Sequence, residues 1–174
     1  MDVIFDIDGT LANAEHRLHL INDTAFWVST DGKPAKPDWE TFLSDEMVAK
    51  DTPILQTWKM LMALLDAEHA RILFITGRPE AQYKTTLAWL RDRTCEHRRY
   101  FAEYWHHCPT SHTPALYMRK NGDRRASHIV KEESLHKAIA GGFNPTLVFE
   151  DRKDDTAMWR RNGLLCCQVA EGNY

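Results

Sequence analysis

The chain has 174 residues, 43% of them hydrophobic and 27% charged, with a formal net charge of −3. That length supports one domain with a substantial core, and the composition is ordinary for a globular protein. It excludes a global basic field for gripping nucleic acid, leaving only a local patch open. It also excludes a bilayer span, since the longest apolar run, 60–65, is far too short. Finally, it excludes a disulfide framework, with four cysteines at 95, 108, 166 and 167. A cytoplasmic protein without internal repeats is expected.

Val3-Ile4-Phe5 is β-branched and aromatic and predicts a short buried strand over 2–6. It runs into Asp6-Ile7-Asp8-Gly9-Thr10, two carboxylates one residue apart and then a glycine that permits a sharp turn. Ligands bind at the carboxyl ends of strands in parallel sheets. A carboxylate pair there suits a hard cation such as Mg²⁺ together with attack on, or protonation of, a substrate. Taken alone, the same residues also fit a strand followed by an Asx-type turn.

Residues 12–52 break the α/β rhythm and read as a small insertion, or cap. Glu15 to Ile21 predicts a helical turn or two, and Trp27, Asp31-Gly32, Pro34, Pro37 and Trp39 mark a turn-rich aromatic stretch. Trp27 and Trp39 are either base-stacking or core residues. His16 and His19 share a helix face but lack the further ligands of a zinc site. Pro53 is expected to open a helix with an apolar face of Ile54, Leu55, Trp58, Leu61, Met62 and Leu65. Arg71 to Ile75 is the second main strand, ending in Thr76-Gly77-Arg78-Pro79, whose hydroxyl and guanidinium can donate to phosphate oxygens. A helix over 80–93 follows, with Ala81, Leu87 and Leu90 inward.

Residues 94–114 are the least legible. Cys95, His97, His106, His107, Cys108 and His112 fit no common zinc spacing. The basic and aromatic residues between them fit either single-strand binding or a helix docked on the sheet. A third strand, 115–119, leads to a basic loop, 119–125. Lys131 opens a helix with Leu135, Ala138 and Ile139 inward, ended by Gly141-Gly142. A fourth strand, 146–149, ends in Glu150-Asp151-Arg152-Lys153-Asp154-Asp155, where Asp154 or Asp155 is expected to cap the next helix. Met158 and Trp159 pack, Gly163 stops that helix, and a fifth strand covers 164–169.

The order Asp6-x-Asp8-Gly9-Thr10-Leu11, Thr76, Lys131, Glu150-Asp151 resembles the four motifs of the haloacid dehalogenase (HAD) phosphatases. More narrowly, the chain resembles the 3′-phosphatase domain of bacteriophage polynucleotide kinase–phosphatase. The likeness is carried by Arg17, Asp38-Trp39, Thr76-Gly77-Arg78, 119–133, Asp151-Arg152, Met158 to Arg161, Gly163 and Gln168-Val169-Ala170. It departs at Ser127, where the family has an acid, and at Glu150, where the family has Asp.

The resemblance implies an α/β fold, a Rossmann-like parallel sheet flanked by helices, with a core of 1–11 and 53–174 and a cap of 12–52. It implies Asp6 as nucleophile and Asp8 as acid and base. Mg²⁺ would be held by Asp6, the Asp8 backbone carbonyl and Asp151, and phosphate or substrate by Thr76, Gly77, Arg78, Lys131, Arg17 and Arg119. No Gly-x-x-x-x-Gly-Lys-Ser/Thr segment is present, so a phosphatase without its kinase half is expected. The expected partner is a nucleotide or nucleic-acid 3′ end, with no membrane. The alternatives are a nucleotidase acting on free (deoxy)nucleoside 5′-monophosphates and an inert binding module with a dead site.

Overall fold

The computed structural model describes residues 1–22, 37–65, 70–95 and 115–172. Trp27 and all of the 94–114 cluster but residues 94 and 95 lie outside them. A five-stranded sheet has the order β5-β4-β1-β6-β7, formed by β1 (Asp2–Phe5), β4 (Arg71–Pro79), β5 (Ala115–Arg119), β6 (Pro145–Arg152) and β7 (Leu165–Gly172). Every pairing is parallel. The expected α/β architecture is therefore present.

Side chains alternate across the sheet with the period of two that strands impose. Val3, Phe5, Ile72 and Phe74 face one apolar layer with Trp58, Leu61, Trp89 and Leu90. These last come from helices α4 (Leu55–Leu65) and α5 (Tyr83–Cys95). Ile4, Leu73, Ile75 and Val148 face the opposite layer, with Leu135, Ala138, Met158 and Trp159. Those belong to α6 (Ser127–Ala140) and α7 (Lys153–Arg161). Parallel pairing puts all strand C-termini at one end, and β1 sits between β4 and β6, where the strand order reverses. That is the switch point where such sheets bind ligands.

Between β1 and α4 lie β2 (Ala12–Asn13), α1 (Glu15–Asn22), α2 (Trp39–Phe42), α3 (Asp45–Ala49) and β3 (Thr52–Pro53). β2 and β3 pair antiparallel, Ala12 with Pro53 and Asn13 with Thr52, so this segment leaves and returns side by side.

Several boundaries and faces differ from expectation. β1 stops at Phe5, although Asp6 still donates its N–H to the Phe149 carbonyl at 3.1 Å. β4 and β6 run on through Thr76 to Pro79 and through Glu150 to Arg152, because their pairing with β5 and β7 resumes past a register shift. Pro53 lies in β3 and α4 starts at Leu55, which is itself exposed. Ile139 is exposed and Ala81 sits at the surface; Thr86 and Trp89 are inward residues of α5 that periodicity missed.

Asp2 ties the far end of the sheet together. It accepts from Arg71 Nε at 2.7 Å and Nη2 at 2.5 Å, and from the Asn144 N–H at 2.6 Å. Burial opposes ionisation, but the Arg71 and Asn144 donors hold the Asp2 carboxyl below its ordinary value of 3.8. A depressed folded pKa contributes stability above the unfolded value and loses it as pH falls through the folded one. Asp2→Asn is thus expected to lower stability at pH 7 by about 0.5–1 kcal/mol, since Arg71 is part-exposed. The difference from wild type should vanish in acid, as read by urea unfolding at both pH values.

Candidate active site

The β1 end is shaped by one turn. Gly9 has φ +79°, a conformation that favours glycine. The Leu11 and Ala12 N–H groups fold back onto the Ile7 carbonyl at 2.8 and 2.7 Å. The start of α4 pins the turn: Ile54 N–H and Trp58 Nε1 donate to the Leu11 carbonyl at 2.8 and 2.9 Å, and the Thr57 hydroxyl donates to the Thr10 carbonyl. Asp6 and Asp8 therefore project from a fixed loop with opposite surroundings.

Asp6 is buried among charges. Lys131 Nζ lies 2.8 Å from Asp6 Oδ1, Glu150 Oε2 and Asp155 Oδ2 alike. Burial raises the Asp6 carboxyl well above its ordinary value; Glu150 adds to that and Lys131 opposes it. The ammonium, though buried, is held charged by the same carboxylates, Asp6 foremost. Three carboxylates around one ammonium leave a negative excess. Asp6, Glu150 and Asp151 each bring an oxygen within 4.8 Å of the others. Oxygen donors and excess negative charge fit a hard divalent cation.

Asp8 faces cations instead. Its Oδ1 accepts from Arg17 Nη2 at 2.7 Å and Arg78 Nη2 at 2.6 Å, and its Oδ2 accepts from Arg78 Nε at 2.9 Å. Burial pushes its carboxyl up, but Arg78 and then Arg17 outweigh that and hold it at about 2. Both arginines are themselves fully buried and share a second acid, Asp51. Arg17 Nε and Nη2 reach the two Asp51 oxygens at 2.8 Å each, and Arg78 Nη2 reaches Oδ2 at 2.6 Å.

Of the other expected residues, Thr76 is buried and its hydroxyl accepts the Arg78 N–H at 3.2 Å. Arg119 clasps the loop beyond β5: its Nε donates to the Gly77 carbonyl at 2.9 Å and its Nη1 to the Arg125 carbonyl at 2.7 Å. Glu150 accepts from Trp159 Nε1 at 3.0 Å and from the backbone N–H groups of Asp151 and Arg152. Neither Asp154 nor Asp155 caps α7, whose N-cap is Arg152 with no side-chain cap bond. Asp155 turns inward because the Lys131 ammonium is the stronger partner. His19 is exposed, and His16 leans on the Met47 carbonyl at 3.2 Å. Two residues were missed as site members, Asp51 and Asp155. Charge alone does not flag an acid in a loop or first helical turn.

A cleft of about 980 Å³ opens above Asp6 and Asp8. Its lining includes Arg119, Lys120, Asp123, Arg124, Arg125 and Arg152, and, from the start of α2, Asp38, Trp39 and Glu40. Trp39 is 52% exposed, so it is not a core residue; its ring meets Phe42 edge-on at 5.6 Å. Phe42 in turn lies under the Arg17 guanidinium, 4.3 Å from ring centroid to carbon. No helix among the described residues is long and apolar enough to cross a membrane.

A family model described as the polynucleotide kinase PNKP phosphatase domain matches residues 23–174. Two solved structures of the Pnkp1/Rnl/Hen1 complex, one titled as an RNA repair complex, match 99% of this chain at 22% identity, with TM-scores of 0.66 and 0.67. The chain spans less than half of those chains, 43% and 47%. A haloacid dehalogenase-like hydrolase from Streptococcus pneumoniae matches 95% of this chain and 82% of its own, at 16% identity and TM-score 0.56. A class C acid phosphatase from Bacillus anthracis with tungstate bound matches 99% and 67%, at 11% identity and TM-score 0.53. At these identities the structural likeness concerns the fold.

Proposed function

Because the chain belongs to the family of PNKP phosphatase domains within the HAD phosphatases, and is a phosphatase, we propose that it removes 3′-phosphates from polynucleotide ends with Mg²⁺. The observation that carries this reading is the cleft over Asp6, whose lining brings Arg119, Lys120, Arg124, Arg125 and Arg152 together with the exposed Trp39 ring. A polyanion with a stackable base fits such a lining. The RNA repair setting of the similar structures supports the same substrate class.

In this reading an Asp6 oxygen bonds to phosphorus as the bond from phosphorus to the leaving 3′ oxygen breaks, giving an aspartyl-phosphate. Asp8 gives the departing oxygen a proton, then takes one from the water that attacks the aspartyl-phosphate; phosphate leaves and Asp6 is regenerated. The resting Asp8 is ionised, which suits the second step. An incoming phosphoryl group competes for the donors of Arg78, which lines the cleft, so Asp8 takes up from solvent the proton that the first step needs; Arg17, fully buried behind Asp8, steadies that carboxylate from the far side. Thr76, Gly77, Arg78 and Arg119 serve the phosphate or the strand behind it, and Arg17, which does not line the cleft, acts only through Asp8. Lys131 carries positive charge to the phosphoryl oxygens. Asp6, Asp151 and the Asp8 carbonyl would hold Mg²⁺, with Glu150 adjacent. The ion would screen Asp6 from the anionic substrate. We assign 12–52 as the cap that supplies Trp39 to the cleft lining.

Phosphate release from a 3′-phosphorylated oligonucleotide, beside a panel of 5′-mononucleotides, tests the substrate. The oligonucleotide is expected to react at least about tenfold faster at low salt, with the advantage falling steeply as salt rises. Preference for mononucleotides would replace the end-healing reading with a metabolic nucleotidase.

The Mg²⁺ site has its own test. A Cβ at Gly172 would stand 2.1 Å from Asp151 Oδ2, so Gly172→Ala must displace that carboxylate. The variant is expected to need about tenfold more Mg²⁺, in turnover and in Mg²⁺-induced thermal stabilisation alike. An unchanged Mg²⁺ requirement would take Asp151 out of the metal site.

A further inference from the structure

Resting on that reading of Asp6 and Lys131, we infer that Asp155 is the positioning residue for Lys131, supplying from α7 the carboxylate that a residue at 127 would otherwise supply from α6. An ammonium has three N–H donors. Here they meet Asp6 Oδ1, Glu150 Oε2 and Asp155 Oδ2, each at 2.8 Å. Glu150 and Asp155 thus fix Nζ from two separate elements, β6 and α7, and the remaining donor is left directed at the nucleophile.

Each anchor is itself anchored. Trp159 Nε1 holds Glu150 Oε2 at 3.0 Å, and the Ser127 hydroxyl donates to Asp155 Oδ2 at 2.9 Å. Ser127 and Lys131 stand four apart on α6, one turn above the other on the same face. A carboxylate at 127 would reach the same ammonium. This chain has a hydroxyl there, and it turns to the acid arriving from α7. Asp155 is fully buried and sits in no cap, so its place is explained by Lys131. Ser127 and Asp155 thus work as one feature: the third carboxylate beside Lys131 comes from α7, and the residue at 127 holds it there. A second carboxylate at 127 would face Asp155 across the distance now spanned by a hydrogen bond, and two like charges there repel.

The test is a swap. Asp155→Ala, Ser127→Asp and the double variant are assayed with Mg²⁺ on p-nitrophenyl phosphate, with thermal unfolding of each. Asp155→Ala is expected to lower kcat by about 10²-fold, with KM changed far less, because Lys131 loses its aim. Ser127→Asp alone is expected to lower kcat by about tenfold, and the double variant to return within about fivefold of wild type, since residues in one network couple strongly. A folded double variant as slow as Asp155→Ala overturns the inference. If Asp155→Ala does not fold, the double variant decides: folded and active supports the transfer, and unfolded or inactive ends it. Absence of turnover in the wild type would count against the assigned chemistry instead, which keeps the two failures apart.

Discussion

Asp6→Asn is expected to stop phosphate release, with kcat falling by at least about 10⁴-fold, while the protein stays folded. The amide keeps the volume and one acceptor of the carboxylate but is not a nucleophile. The folding side of the expectation comes from the charge environment. Asp6 is buried beside Glu150, which disfavours its charge. Lys131 keeps Glu150 and Asp155 as partners when Asp6 becomes neutral. Removing one carboxylate from a cluster with a negative excess offsets the lost ion pair, so the urea midpoint should stay or rise. Single-turnover phosphate release and urea unfolding on the same preparation check both halves. Substantial residual turnover would remove Asp6 as the attacking group. A collapse of stability would mean that Asp6 is needed to hold Lys131.

The contrast between Asp6 and Asp51 shows what a sequence displays. Asp6, Thr76 and Glu150-Asp151 each end an apolar β-branched run, so the strand pattern itself marks the residues that emerge at the active end of the sheet. Lys131 is legible because it lies early in a helix between two such strands, although that helix opens four residues before it, at Ser127. Asp51 and Asp155 end no strand. Asp51 lies two residues before Pro53 and resembles a solvated turn residue; Asp155 lies in a run of acids and resembles a cap. Their burial follows from partners distant in sequence: Arg17 is 34 residues from Asp51, and Lys131 is 24 from Asp155. Local pattern cannot encode such pairs. The same reason applies at Trp39 and Phe42: Phe42 is the ring that is buried, against the distant Arg17, while its neighbour Trp39 stays exposed. Strand ends were misjudged at Thr76 and Glu150 because ladder pairing with β5 and β7 carries regular structure past the apolar run.

Asp51→Ala is expected to cost about 3–5 kcal/mol of stability and to lower kcat/KM by about 10²-fold. Two fully buried guanidiniums and two carboxylates form a closed set: Asp8 and Asp51 each accept from both Arg17 and Arg78. Two charges of each sign cancel, and nearly every donor is used, since Arg17 Nη1 also reaches the Phe42 carbonyl at 2.9 Å. Removing Asp51 leaves a buried positive excess, strips Arg17 Nε of its acceptor and takes one of two acceptors from each Nη2. Asp8 then carries both arginines alone, and the aim of Arg78 at an incoming phosphate loosens. The Trp89 indole donates to the Asp51 carbonyl at 2.7 Å, a bond the variant retains, so α5 stays docked and the loss is specific to the charged set. A double-mutant cycle with Arg17→Leu separates this account from simple cavity formation. In a closed set, removing Arg17 after Asp51 costs far less than removing it first, and the coupling should reach about 2–3 kcal/mol in urea unfolding. Additivity within about 0.5 kcal/mol would mean that the two residues act independently. Asp51 would then be a packing residue beside the site and not the counterweight that lets two arginines be buried against Asp8.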